Sequence, residues 1–474
     1  MILRLFRDAT NPKIDKKRIA DVTLSGRNGV TRRRIAVIGG GVSGLTAGYI
    51  LSRTDEVTLF EAAGRLGGHA DTHLVDEPGG RQVAVDTGFI VYNERTYPLL
   101  TRLFGELGVE TRASEMSMSV SCSGCGVRYA GKRGPAGLGA GVAVGGRAYL
   151  QMLAEVPRFH RAARRLLASA PPAGAGASGA GAGAVGADGA GLPMEAAAGI
   201  SLGDFLREGG FSRYFTSHFA VPVVAAVWSC PQGTALQYPA AYLFAFLANH
   251  GLLSVTGSPP WRTVAGGSRR YVDLIAERLA QVRLSSPVRS VTRRPNGVTV
   301  VDGSGAGLDF DAVVIATHPD QALRLLDAPT AAERSVLGAF GYSSNEAVLH
   351  TDARLLPPRG AVRASWNYAL SCHDGSAEAP ARVSYHMNRL QGLPTDRDYI
   401  VTLGGRQDVD PASVIAVMDY AHPAYTRESV AAQSLLPGLN TSVTAFAGAY
   451  HGWGFHEDGC RAGVAAARAL GGSW

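Results

Sequence analysis

Lysine is almost absent from this chain. Of 474 residues only Lys13, Lys16, Lys17 and Lys132 are lysine, and none follows the first third. Arginine carries the positive charge elsewhere, and a guanidinium stays protonated, so it cannot serve as a neutral base. Cysteine is also scarce, at five. That excludes a disulfide scaffold and makes a reducing cytoplasm the expected location. Cys122 and Cys125 form a single CxxC, which offers two ligands where structural zinc needs four. No second pair follows, so both read as reduced thiols and no metal is expected. His451 and His456 lack the i, i+4 spacing of a helical zinc site, and the glycines between them suggest a turn. Long apolar runs are missing too. Tyr238–Val255 is the most apolar window, but Asn249 and His250 interrupt it, so it reads as a core helix of a pocket-forming domain.

Acidic residues are few where basic ones are many. Residues 1–34 hold ten Lys/Arg and three acids, a surplus equal to the whole net charge of +7. The remainder is close to neutral, which argues against a nucleic-acid-binding face. Residues 1–32 read as a disordered basic tail, with peripheral contact to an anionic membrane as the alternative role. Arg32–Ile38 (RRRIAVI) is similar to a twin-arginine export signal, but its apolar part is needed for a strand.

What is present fits a large α/β protein. Hydrophobic residues make up 46% of the chain, and its length predicts two or three domains. Ser169–Ala198 is Ala/Gly-rich low complexity and reads as a flexible surface insertion. Strand-like runs (35–38, 56–60, 297–301, 312–316) alternate with helical windows at 44–52 and 271–279.

The strand RIAVI, 34–38, runs into Gly39-Gly40-Gly41-Val42-Ser43-Gly44 and then a helical LTAGYILS. Gly39 permits the tight turn, Gly41 lets backbone approach a pyrophosphate, and Gly44 lets helix pack on strand. Ser43 lies at the helix start, facing the same anion. The next strand ends at Glu61, whose carboxylate suits ribose hydroxyls and repels a 2′-phosphate. FAD or NAD remains.

Glu61 continues into AAGRLGGH. With it the chain resembles the flavin amine oxidase and phytoene desaturase superfamily, in which an acid precedes an Arg-x-Gly-Gly turn. The stretches VDTGFIVYNERTYPLL, AAVWSCPQG, NHGLLSV, WRTVAGGSRRYV, ASWNY and GFHEDG occur in order. Together they resemble a bacterial group of amine-oxidase-like proteins that is similar to the N-terminal oxidase-like half of plant cyclopropane fatty acid synthases. The resemblance implies FAD and a Rossmann-type FAD-binding domain of the glutathione-reductase-like, amine-oxidase type. That domain is expected from 33–100, 262–325 and 425–474, with a mixed α+β substrate domain from 101–261 and 326–424. It implies cofactor contacts from Arg65, Gly67, Gly68 and His69, and from Thr87, Gly88 and Phe89. Val288 is expected near adenine, and Ala316 under the cofactor.

The resemblance also implies hydride transfer from substrate to flavin, which needs few obligatory side chains. Many amine oxidases place a lysine near the flavin, and none is available here. That favours dehydrogenation or desaturation of an apolar, acyl-type substrate. The alternatives are an amine oxidase, or a non-catalytic flavoprotein partner of a lipid methyltransferase. Phe455 falls where the superfamily often has Tyr, and Tyr420 or His422 falls near a second aromatic wall. In YHGWGFHEDGCRAG, 450–463, a strand at 443–447 leads through Gly448 and Gly454 to an Ala-rich helix from about Gly459. The helix N-terminus is expected against the flavin, with Asp458 as cap. His456 and Glu457 are the candidate acid–base side chains.

Overall fold

The computed structural model describes residues 32–131, 134–169, 199–254, 258–372 and 382–474. The basic tail and the Ala/Gly-rich insertion, apart from their last and first residues, lie outside them.

Arg34–Ile38 (β1) is buried along its length after Arg34, as its unbroken apolar run requires of a central parallel strand. It pairs in parallel with Glu56–Phe60 (β2) on one side and Ala312–Ile315 (β4) on the other. Gln281–Arg283 (β3) extends the β2 edge and Thr444–Phe446 (β5) the β4 edge. The five-stranded order is therefore β5-β4-β1-β2-β3. Its strands come from three separated stretches of chain, so this layer closes only when distant segments return.

Helix α1, Val42–Leu51, follows β1 and is buried throughout. It begins at Val42, not Gly44, because the glycine turn is complete by Gly41. The last helix, His456–Ala469 (α4), packs against α1. It too begins earlier than the expected Gly459. The Asp458 carboxylate accepts the Phe455 amide at 3.0 Å, and this cap fixes the start.

A second, seven-stranded mixed sheet stands beyond the parallel layer. It runs Val414–Ala424, Gly341–His350, Ile400–Leu403, Arg382–His386, Trp366–Leu370, Met118–Cys122, Arg128–Gly131. Between Trp366–Leu370 and Met118–Cys122 the pairing is parallel. Helices cover it, among them Ala240–Asn249 (α3), whose apolar residues join one continuous core with the sheet. The apolar window thus contains a core helix, at Ala240–Asn249. Pro98–Leu107 (α2) packs against α4 on the parallel-sheet side. Among the described residues no helix is long and apolar enough to cross a membrane.

Candidate active site

A cavity of about 970 Å³ runs from the C-terminal end of β1 into the mixed-sheet part of the molecule. Its first section is built by glycines. Gly39 has φ +105°, and a Cβ there would meet the Ala316 carbonyl at 2.7 Å. A Cβ on Gly44 would meet the Gly39 carbonyl at 2.0 Å, so Gly44 packs the helix and does not itself line the cavity. A Cβ on Gly41 would meet no protein atom within 4 Å; it would project into open space. The Arg-x-Gly-Gly turn is tied to the first turn by a Gly67 amide donating to the Gly40 carbonyl at 2.8 Å. Glu61 accepts the amides of Gly40 at 2.7 Å and Ala63 at 2.8 Å, one per oxygen. Each oxygen keeps a lone pair for a further donor.

Thr87, Gly88 and Phe89 form the next wall. Asp86 holds them in place. Its buried carboxylate accepts from Thr72 at 2.6 Å, from Ser268 Oγ at 2.8 Å and from Gln391 at 2.8 Å. Burial still pushes its carboxyl up to about 6. The Phe89 amide donates to the His69 carbonyl at 2.6 Å. His69 is half-buried and lines the cavity, and its Nε2 is buried with no protein hydrogen-bond partner. Burial, with His422 close by, holds its imidazole well below the ordinary value, so the ring is neutral. Its ring lies 5.0 Å from Tyr420 and 5.3 Å from His422.

Tyr420 and His422 come from the edge strand 414–424. The Tyr420 hydroxyl donates to Asp71 at 2.9 Å and lies 2.7 Å from the Thr87 hydroxyl, so it braces the wall. Burial lowers His422 to about 4, and its Nδ1 is bonded to Asn345 at 2.9 Å.

Gly448, Gly454, Phe455 and His456 close the cavity from the opposite side. Gly454 has φ +91°, and a Cβ there would meet the Tyr425 hydroxyl at 2.8 Å. Phe455 stacks on Phe246 of α3, at 4.7 Å and 23°. His456 lies on Phe89, and burial holds it at about 3.

All the expected site residues line this cavity except Gly44, Arg65 and Glu457. Arg65 turns away, to Asp71 at 2.7 Å and the Gly68 carbonyl at 2.9 Å. Glu457 accepts the amides of Leu99 and Leu100 at 3.1 and 3.0 Å, in the first turn of α2. It is a cap for a neighbouring helix and is not among the residues that line the cavity. Sequence reasoning missed His250, His318 and Trp453, all of which line the cavity. The signals were there: His318 directly follows the DAVVIAT strand and turn, and His250 interrupts the apolar window.

The inner section belongs to the mixed-sheet part. Val120, Tyr129, Phe159, Phe219, Val223 and Leu403 are typical of its walls. Among all the lining residues Glu61 is the one carboxylate, and it sits at the glycine turn.

The strand-end glycine turn, the ribose-type carboxylate and the unpartnered His69 nitrogen together fit a flavin dinucleotide. A family model for flavin containing amine oxidoreductases matches residues 42–408, and the chain belongs to that family. FAD is its cofactor. Cyclohexylamine oxidase from Brevibacterium oxydans IH-35A has the same fold, with a TM-score of 0.64 at 16% identity over 93% of this chain and 99% of that one. A CLA-producing fatty acid isomerase from P. acnes gives 0.60 at 15% identity, over 91% and 97%. L-amino acid oxidase of Cerastes cerastes is 39% identical over 61 residues, which is 12% of this chain and 12% of that relative.

Proposed function

We propose that this flavin-dependent oxidoreductase acts on an apolar substrate of acyl-chain type that buries no cation in the cavity. One observation carries the reading: the inner cavity is walled by aliphatic and aromatic side chains and offers no carboxylate. A substrate ammonium buried there would have no counter-charge, at a cost of several kcal/mol. An acyl chain gains about 0.8 kcal/mol for each methylene it buries. When bound, the flavin ring supplies the hydride acceptor. The protein's own part is to hold the chain against that ring, between the Phe455–Phe246 stack and the Tyr420–His422 wall, and to exclude water. The cavity histidines His422, His456 and His250 are neutral at pH 7, so they add no cation to the apolar wall.

Anaerobic bleaching of the yellow flavin absorbance tests this. Long-chain fatty acids and acyl lipids are expected to reduce the flavin, and primary amines are not. Reduction by amines alone would replace the reading with amine oxidation.

A further inference from the structure

We propose that Cys122, Cys125, His218 and Cys372 form a structural zinc site, outside the flavin cavity. Among the described residues these four are a group whose donor atoms all lie within 4.8 Å of one another. The Cys125 sulfur and His218 Nε2 are 3.4 Å apart. The single CxxC was set aside because two ligands were missing; the fold supplies both.

Each ligand arrives by a definite route. Cys122 ends the strand Met118–Cys122, and Cys125 lies in the turn to Arg128–Gly131. The Gly126 amide donates to the Cys122 carbonyl at 3.0 Å, and Gly126 has φ +76°, so the turn folds both sulfurs to one side. Leu370 pairs with Cys122 in parallel register, and the Ser123 amide donates to the Leu370 carbonyl at 2.9 Å. The chain therefore delivers Cys372, two residues on, beside the same turn. His218 comes from Thr216–Ala220, a π-helical turn. Such turns are rare and cluster at functional sites.

His218 is oriented as metal-ligating histidines are. Its Nδ1 lies 3.2 Å from the Tyr214 carbonyl and 2.8 Å from Ser217 Oγ. A proton on Nδ1 satisfies that carbonyl and leaves the Nε2 lone pair facing the sulfurs. The Tyr214 ring stacks on the imidazole at 3.9 Å and 9°, which fixes its plane. Three soft sulfurs and one imidazole match tetrahedral zinc, and four protein ligands leave no position for catalysis. With Zn–S near 2.3 Å, tetrahedral donors stand about 3.5–3.8 Å apart. Donors within 4.8 Å of one another need a contraction of at most about 1 Å, and Cys372, the exposed member, already interacts with the Cys122 thiol. As the metal binds, each thiol gives its proton to solvent.

The ion would join three walls of the cavity. Met118 and Val120 lie on the Cys122 strand, Phe219 and Ala220 follow His218, and Trp366 lies on the strand before Cys372. This role is independent of substrate identity.

The test is metal analysis of full-length holoenzyme, purified with a non-thiol reductant and without chelator. About one zinc per chain is expected. Cys125→Ser, and separately the exposed Cys372→Ser, should lower it to background while the ratio of FAD to protein is unchanged. Cobalt added to metal-depleted protein should give tetrahedral ligand-field bands beyond the flavin absorbance, and these should be lost in His218→Ala. The proposal falls if the wild type carries no zinc and takes up no cobalt, if Cys372→Ser keeps its full zinc, or if intact mass shows a disulfide among the three cysteines under those conditions.

Discussion

The imidazole of His456 lies flat on the ring of Phe89, with 3.7 Å between centroids and 13° between planes. Its Nε2 is hydrogen-bonded to the Tyr271 hydroxyl at 3.0 Å. At about 3, its pKa is far from neutral pH. His456 thus packs as a neutral aromatic and is not placed to shuttle protons at pH 7. His456→Phe should keep the stack and strand one buried hydroxyl, at a cost of about 1–3 kcal/mol of stability. The pH profile of flavin reduction should be unchanged between about pH 6 and 9. A missing limb in that profile would return the imidazole to the reaction.

Glu457, one residue along, is a structural anchor. Its two amide bonds satisfy donors at the start of α2 that no helix can satisfy internally. Burial pushes its carboxyl up to about 7, against the pull of those amides and of Arg461. Glu457→Ala leaves both amides without an acceptor, so unfolding should become easier by about 1–3 kcal/mol at pH 5, where little buried charge is removed with the side chain. Flavin content and the rate of flavin reduction should stay within about twofold of wild type, which is within 0.5 kcal/mol on the rate. Stopped-flow reduction alongside thermal denaturation separates the two effects. A large fall in rate without loss of stability would make Glu457 part of the chemistry after all.

Gly41, just before α1, and Gly44, within it, should behave oppositely when replaced. Gly41→Ala adds a methyl that meets no protein atom, so the apoprotein should fold with an unchanged melting temperature. The same methyl projects toward the space where pyrophosphate is expected to pass, so FAD should be lost on gel filtration. Gly44→Ala drives its methyl to 2.0 Å from the Gly39 carbonyl. That substitution should lower the stability of the apoprotein itself, by about 1–3 kcal/mol as overpacking usually does. Equal melting temperatures for both apoproteins would contradict this division.

These placements show which parts of the site a sequence can disclose. The glycine turn and Glu61 were readable because local backbone geometry dictates residue type there, and β1, β2 and α1 follow within thirty residues. Glu457 was not readable as a cap. Its direction depends on where α4 starts, and each helical step turns a side chain by about 100°. One step from His456 moves the carboxylate from the cavity side to α2. Cys372 and His218 were hidden for another reason. Parallel pairing of Leu370 with Cys122 joins segments some 250 residues apart, and no spacing rule reaches that far. The inner cavity was legible only as apolar composition, since its walls come from several helices and from both faces of distant strands.

Histidines wholly or partly buried also set the acid limit of the fold. Burial lowers His250, His350, His422 and His451 to about 4 and His456 to about 3, each below the 6.5 of an unfolded chain. As pH falls through 6.5, the unfolded state therefore takes up protons first. Their contribution to stability is fully present above about pH 6.5 and is lost on the way down to pH 4 and 3, at about 1.4 kcal/mol per histidine per pH unit. Glu457 and Asp86 act in the opposite direction. Their folded pKa values are raised, to about 7 and about 6, so ionisation above their unfolded values weakens the fold as pH rises. With the lowered histidines outnumbering the raised carboxyls, urea unfolding should give a steep net fall in stability from pH 6.5 to 4.5. His451 isolates one member, because its Nε2 is buried without a partner and burial alone lowers it. His451→Gln should flatten the slope by about one proton's worth over that range. An unchanged slope would mean that His451 is protonated in the folded protein, and that its surroundings open to water at acid pH.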